Sequence, residues 1–203
     1  MNKTIQNYAL VFIAIIFLAV TPACSQEEDT LTSGLLDIHE ITSKDGIKAW
    51  LIEDHSLPII AVKFSFKGAG AVLDPADKQG LAIMASYTMD EGAGDYDSQH
   101  FQKTLTDNSI TLRFASGRDD FSGTLQTLAK HKDLAFDLLR LALTTPRFDE
   151  EPVTRMREAN IARIRSSLSD PDWIAARLMN DIAFGAHPYA PNSGGTLSTL
   201  PNI

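Results

Sequence analysis

The sequence is poor in cysteine, and Cys24 is the one thiol among its 203 residues. A single cysteine cannot form an internal disulfide or a multi-cysteine zinc site. The hydrophobic share of 44% is ordinary for a globular protein, and the length is sufficient to bury a hydrophobic core. The composition therefore predicts a fold that is stabilised by apolar packing rather than by covalent links.

Basic residues are scarce relative to acidic ones. The 18 lysines and arginines against 26 aspartates and glutamates give a net charge of −8, which opposes binding to the phosphates of nucleic acids. No two histidines are three or four residues apart, the spacing that places two metal ligands on one helix face. We therefore expect no nucleic-acid partner and no metal site, with surface or capping roles for the five histidines, His39, His55, His100, His131 and His187.

The one long hydrophobic run, at residues 9–20, follows Lys3 and ends in small residues. Its twelve residues span about 18 Å as a helix, which is short of the ~30 Å core of a bilayer. This pattern is typical of a bacterial secretory signal, so we expect residues 1–25 to be a signal peptide and the protein to be periplasmic. Cleavage before Cys24 and cleavage after Ser25 both fit. The first makes Cys24 a candidate for lipid attachment and membrane tethering, although Thr21 departs from the branched or leucine-like residue that lipoprotein signals usually have there.

In the rest of the chain, the spacing of the apolar residues switches between the period of a strand and the period of a helix. Apolar and polar residues alternate in five predicted strands, at 35–42, 47–53, 60–66, 110–114 and 121–125. Apolar residues recur every three to four positions in five predicted helices, at 79–91, 97–107, 130–143, 150–168 and 170–184. Hairpins grouped together and helices grouped together predict an α+β fold, with helices on one face of a mainly antiparallel sheet. Residues 193–203 are expected to end without a closing element.

Three further clusters favour ordinary structural roles. Residues 68–70, Gly-Ala-Gly, are expected to form a turn, because the Lys-Ser/Thr ending of a phosphate-binding loop is missing. An acidic cluster is expected to be a solvated helix end, and it consists of Asp90, Glu91 and Asp95. A basic cluster on the fourth predicted helix is expected to be a solvated face, and it consists of Arg155, Arg157, Arg163 and Arg165.

A series of short phrases occurs in a particular order along the chain. They are Gly46 to Asp54 (GIKAWLIED), Ser56-Leu57-Pro58, Gly68-Ala69-Gly70, Asp74-Pro75, Gly80-Leu81-Ala82, Asp90-Glu91-Gly92, Pro146-Arg147-Phe148, Asp170-Pro171 and His187-Pro188-Tyr189. In this order and spacing, residues 35–203 resemble the N-terminal domain of the M16 peptidase family, which includes insulinase, pitrilysin and the mitochondrial processing peptidase. Because members of this type usually carry a second, similar domain, the resemblance implies that the chain stops before that domain.

The zinc signature of the family is missing from the matching helix. Active members carry His-x-x-Glu-His there, with two zinc ligands and a general base, and a third ligand, a glutamate, on a later helix. The resemblance places Ile83, Ser86 and Tyr87 at the signature positions and the cation Arg163 near the third ligand. None of these is an effective zinc ligand or base at neutral pH. The resemblance therefore implies no catalytic residue, no cofactor and no metal in this chain.

Some members of the family lack the signature and pair with a catalytic sister subunit. The resemblance thus implies a non-catalytic, exported subunit that helps bind a peptide substrate beside a zinc-bearing sister subunit. Two alternatives stay open at this stage. The chain is an active zinc metalloendopeptidase by descent, or it is a non-enzymatic periplasmic binding or scaffold module.

Overall fold

The computed structural model describes residues 37–203. The predicted signal peptide at 1–25 and the candidate lipid-attachment residue Cys24 lie outside the described residues and stay predictions. The chain divides into two compact units, one ending at His55 and the other running from Ser56 to Ile203. No helix among residues 37–203 has both the length and the apolar character needed to cross a membrane.

The first unit contains an antiparallel hairpin of β1 (Ile38–Thr42) and β2 (Lys48–Ile52). The turn between them includes Gly46, which has a φ of 85°, a conformation that glycine adopts without steric cost. The backbone N–H of Ser43 donates to the carbonyl oxygen of Ile47 at 2.8 Å and closes the turn. The predicted strands at 35–42 and 47–53 are therefore confirmed as a hairpin.

The second unit contains a three-stranded antiparallel sheet. Its strands are β3 (Ile59–Lys67), β4 (Thr111–Ser116) and β5 (Asp120–Leu128), in the spatial order β3-β5-β4. Exposure alternates along β4 and β5, so one face of the sheet is buried and the other is more open. The prediction of three opening strands is correct, but β1 and β2 form their own sheet rather than extending this one.

Five helices belong to the second unit. They are α1 (Leu81–Thr88), α2 (Ser98–Asp107), α3 (Lys132–Thr144), α4 (Glu150–Ser167) and α5 (Pro171–Phe184). Asp97 caps α2 by accepting a hydrogen bond from the N–H of His100 at 2.8 Å, and Asp170 caps α5 through the N–H of Asp172 at 3.0 Å. The predicted α+β fold is confirmed.

The main hydrophobic core lies between the buried face of the sheet and the helices α2 and α3. Phe101 of α2, Leu125 of β5 and Leu138 of α3 are its most deeply buried large side chains, and each is at most 1% exposed. A second, smaller cluster surrounds Met84 of α1 and Ile164 of α4. The first cluster therefore fixes α2 and α3 to the sheet, and the second joins α1 to α4.

The C-terminal segment contradicts the prediction of an open end. This segment contains a 3₁₀ turn, Leu200–Asn202, and Leu200 is fully buried with Met84 and Ile164. The hydroxyl of Thr199 donates to the carbonyl oxygen of Gln79 at 2.8 Å and ties this segment to the residues before α1. The prediction failed because the leucine in this polar segment is buried by tertiary contacts rather than by a local pattern.

Candidate functional site

The candidate site is the face of α1 that carries the degenerate zinc positions. This helix packs against β4 and α4, and Gly80 precedes it with a φ of 99°. The carboxylate of Asp74 accepts hydrogen bonds from the N–H groups of Gly80 and Ala82 at 2.9 and 3.0 Å. These bonds satisfy two of the free donors at the start of the helix, so the Asp-Pro phrase fixes where α1 begins.

The α1 side chains at the signature positions are engaged in packing. Ile83 lies against the cluster of Met84, Ile164 and Leu200. Ser86 is 3% exposed, and its hydroxyl donates to the carbonyl oxygen of Ile83 at 2.7 Å within the same helix. Tyr87 is 36% exposed. The first two positions therefore serve the interior of the fold, while the third places a phenol at the surface.

On α4, the third-ligand region is divided between an exposed cation and a buried aliphatic residue. Arg163 is exposed, and its guanidinium donates to the Oδ1 atom of Asn160 at 2.6 Å. The next residue, Ile164, is 4% exposed and packs with Met84 of α1. Glu158, the nearest carboxylate in the sequence, is exposed. At the third-ligand position, an aliphatic side chain, Ile164, therefore packs toward the degenerate helix, and Arg163 lies beside it.

Asn160 is a site residue that the sequence reasoning missed. It is 2% exposed, its Nδ2 atom donates to the carbonyl oxygen of Gly194 at 3.0 Å, and the same nitrogen lies 3.9 Å from the Sδ atom of Met84. One amide thus connects α1, α4 and the C-terminal segment. A signal was present in the sequence, because Asn160 occupies the middle of an apolar stripe between Met156 and Ile164 at four-residue spacing.

The donor set of this face does not fit zinc. Isoleucine has no lone pair, and the Ser86 hydroxyl is already a donor to a backbone carbonyl. A neutral phenol is an uncommon ligand, and Arg163 is a cation. Residues 37–203 contain no group of three or more histidine, cysteine, aspartate or glutamate side chains that could hold a metal ion. We therefore derive no metal-dependent step for this part of the chain.

The acidic cluster after α1 differs from the predicted solvated helix end. Glu91 is 8% exposed, and its Oε2 atom accepts a hydrogen bond from the Ser98 hydroxyl at 2.5 Å and from Arg155 at 2.7 Å. Burial raises the pKa of the Asp90 carboxyl to about 6, and the nearby charge of Glu91 adds to the increase. The prediction was wrong for Asp90 and Glu91, because α2 and α4 cover this helix end, whereas Asp95 is exposed. Arg155 is exposed as predicted, although its guanidinium is paired with Glu91.

Among proteins of known sequence, the chain is similar to a protein of Helicobacter pylori that is described as the non-peptidase homolog YmxG. The two are 25% identical over 151 residues, which cover 74% of this chain and 35% of that protein. No family model matches the chain.

Two solved structures share the fold. A peptidase M16 inactive domain from Pseudomonas fluorescens superposes with a TM-score of 0.76 at 20% identity and covers 83% of this chain and 41% of that one. Pitrilysin superposes with a TM-score of 0.68, also at 20% identity, and covers 83% of this chain and 18% of its own. The resemblance to M16 peptidases is thereby confirmed for the fold. The chain spans about a third of the length of YmxG and about two fifths of the Pseudomonas chain.

Proposed function

We propose that this chain is part of a non-catalytic M16-like subunit, which helps to bind peptide substrates beside a zinc-bearing sister subunit. The observation that carries the proposal is the composition of the α1 face. Ile83, an aliphatic residue, occupies the position of a zinc ligand. Ser86, whose hydroxyl donates to a backbone carbonyl of its own helix, occupies the position of the general base. The descriptions of its relatives as a non-peptidase homolog and an inactive domain support the same conclusion.

The sheet offers a route for peptide binding next to that helix. Within the described residues, β4 is an edge strand, because it pairs with β5 on one side alone. An edge strand presents backbone N–H and C=O groups that an extended peptide can pair with. Because α1 packs against β4, a peptide added there lies near the degenerate positions. Binding of this kind requires neither a metal nor a catalytic side chain.

The exposed side of α5 offers a surface for the sister subunit. Four large apolar side chains on this helix are 46–77% exposed, and they are Ile174, Leu178, Met179 and Ile182. Asp172 and Asp181 flank them, and Asp181 pairs with Arg177 at 3.1 Å. A symmetric pairing of two copies through this face would place carboxylates of one beside those of the other, which is unfavourable. A partner with an apolar patch and a basic rim fits better, and we assign that role to the sister subunit.

The test is co-expression of the full chain with an M16 homologue from the same genome that carries His-x-x-Glu-His. We expect the two proteins to co-elute and peptide cleavage by the zinc-bearing subunit to increase when this chain is present. Leu178→Glu should weaken the complex, because it places a charge in the apolar patch. Phe136→Glu is the matched control, since Phe136 is a 41%-exposed apolar residue on α3. Independent elution of the two subunits, with no change in cleavage rate, would contradict the proposal.

An active zinc peptidase is the first alternative. Stoichiometric zinc binding by the purified chain, together with peptide turnover that a chelator abolishes, would establish it. We also expect no turnover from the triple variant Ile83→His, Ser86→Glu, Tyr87→His. The glutamate at position 86 would have to enter a site that is 3% exposed, and α4 still presents Ile164 and Arg163 rather than a carboxylate.

A periplasmic binding or scaffold module without a catalytic partner is the second alternative. It predicts peptide binding by the chain alone and no complex with any M16 homologue from the same genome. Export of the protein and lipid attachment at Cys24 are part of both the subunit proposal and this alternative. Mass spectrometry of the mature N-terminus distinguishes cleavage before Cys24 with a lipid from cleavage after Ser25 without one.

A further inference from the structure

Two phrases of the sequence that the α1 face does not use, Gly68-Ala69-Gly70 and His187-Pro188-Tyr189, converge on Arg118, in the turn between β4 and β5. The segment after β3 donates three backbone hydrogen bonds to this turn, from Gly68 to Asp119, from Ala71 to Gly117 and from Val72 to Arg118, at 2.7–3.1 Å. A Cβ atom at Gly70 would lie 2.4 Å from the carbonyl oxygen of Arg118. The Gly-Ala-Gly phrase therefore permits the close approach that holds the Arg118 backbone in place.

The side chain of Arg118 is held by the last residue of α5 and by the loop that follows this helix. Its Cζ atom lies 5.4 Å from the ring centroid of Tyr189 and 5.7 Å from that of Phe184. The hydroxyl of Tyr189 is fixed in turn by the carboxylate of Asp119, at 2.6 and 2.7 Å. A guanidinium that lies over aromatic faces keeps its N–H donors free, because those donors point outward in its own plane.

A cavity of about 200 Å³ borders this arginine. Gln79 and Ser193 also line it, and within residues 37–203 neither of their side chains nor the Arg118 guanidinium forms a hydrogen bond or an ion pair. Two acidic groups are near the arginine, Asp74 in the cavity lining and Asp119 beside it, and both already accept hydrogen bonds. Asp74 accepts two backbone N–H bonds at the start of α1, and Asp119 accepts the Tyr189 hydroxyl. The Arg118 guanidinium and the side chains of Gln79 and Ser193 therefore border a small cavity without a hydrogen-bond partner among the described residues.

We propose that this cavity is a binding site for a carboxylate group, with Arg118 as the principal donor and with Gln79 and Ser193 as additional donors. A planar guanidinium matches a carboxylate with two parallel N–H···O bonds. The volume suits the terminal residue or one acidic side chain of a peptide rather than a larger ligand. The site does not depend on a sister subunit, so it can exist even where the proposed function fails.

Three short peptides, titrated into the full chain and followed by NMR or calorimetry, test the proposal. They are N-acetyl-trialanine with a free C-terminus, the same peptide as its C-terminal amide, and N-acetyl-Ala-Glu-Ala amide. We expect the fully amidated trialanine to bind at least tenfold more weakly than one of the other two. Preference for the free C-terminus identifies a terminal carboxylate as the ligand, and preference for the glutamate peptide identifies an acidic side chain.

Arg118→Gln should reduce the difference in affinity between the preferred carboxylate peptide and the amidated trialanine to less than twofold. Arg165→Gln, which removes the same charge from an exposed position on α4, should leave it unchanged. Arg118→Lys keeps the charge but not the planar guanidinium with its two parallel N–H donors, so it should retain part of the preference for a carboxylate. If Arg118→Gln does not fold, Ser193→Ala should still weaken carboxylate binding severalfold. Equal binding of all three peptides, no binding of any, or full discrimination in the Arg118→Gln variant would overturn the proposal.

Discussion

The guanidinium of Arg155 on α4 lies 2.7 Å from the Oε2 atom of Glu91, which follows α1 by three residues. The carboxylate side chain is 10% exposed and the arginine side chain is 48% exposed. Because 64 residues separate the two in sequence, this ion pair is a tertiary link between the end of the degenerate helix and α4. Glu91 is also anchored to the start of α2 through Ser98, so one carboxylate holds three helices together.

Removal of the arginine should destabilise the protein. Arg155→Gln leaves the Glu91 carboxylate in a mostly buried position with Ser98 as its remaining partner, and we expect a loss of about 1–3 kcal/mol in the free energy of unfolding. Urea denaturation measures it. Arg140→Gln is the matched control, because Arg140 pairs with Asp137 at the same 2.7 Å but both side chains are more than half exposed. That control should cost less than about 1 kcal/mol, and equal losses would show that burial of Glu91 is unimportant.

The buried amide of Asn160 should also be important for stability. Asn160→Ala leaves the carbonyl oxygen of Gly194 without this donor and opens space beside Met84, so we expect a loss of about 1–3 kcal/mol. Thermal unfolding, followed by circular dichroism, measures the effect. Ala162→Gly, at an exposed position of the same helix, should cost about 1 kcal/mol through helix propensity alone. A smaller loss for Asn160→Ala than for that control would contradict a linking role.

Stability should depend on pH through Asp90. Because burial raises the pKa of this carboxyl from 3.8 to about 6, the folded protein binds the proton more tightly than the unfolded chain does. The protonated carboxyl therefore makes its full contribution to the free energy of unfolding below about pH 4. This contribution of about 3 kcal/mol is lost as the pH rises through 6. Asp90→Asn cannot lose a proton there, so its stability relative to wild type should increase between pH 4 and pH 7. Parallel stability curves for the two proteins would contradict the assigned pKa.

The glycine in the middle of β5 should not tolerate a side chain. Gly123 pairs with Phe64 on one side and Phe114 on the other, and a Cβ atom there would lie 2.2 Å from the Cζ atom of Phe64. We expect Gly123→Ala to displace the ring and destabilise the protein by about 1–3 kcal/mol. Thr124→Ala, at the next and exposed position, should change stability by less than about 0.5 kcal/mol. A wild-type melting temperature for Gly123→Ala would show that the Phe64 ring can move freely.

Local patterns were sufficient to predict most elements of the fold. The helices predicted at 97–107 and 170–184 and the strands predicted at 35–42 and 47–53 depend on patterns within a few residues, so the sequence alone was sufficient to predict them. The grouping of the strands into two sheets could not be predicted in this way, because period-two alternation identifies a strand without naming its partner. The buried Leu200 was missed because its partners, Met84 and Ile164, lie far away in the sequence.

The sequence by itself determined what the candidate site lacks, because no rearrangement of the backbone can turn Ile83 or Ser86 into a metal ligand. It also determined the fold class, since the two hydrophobic periods are properties of neighbouring residues. The tertiary structure alone decided which charged groups are buried, because the solvation of Glu91 and Asp90 depends on helices that lie far away in the chain. It likewise brought Gly70, Arg118 and Tyr189 to one place, since contacts between distant segments follow from packing and not from local pattern.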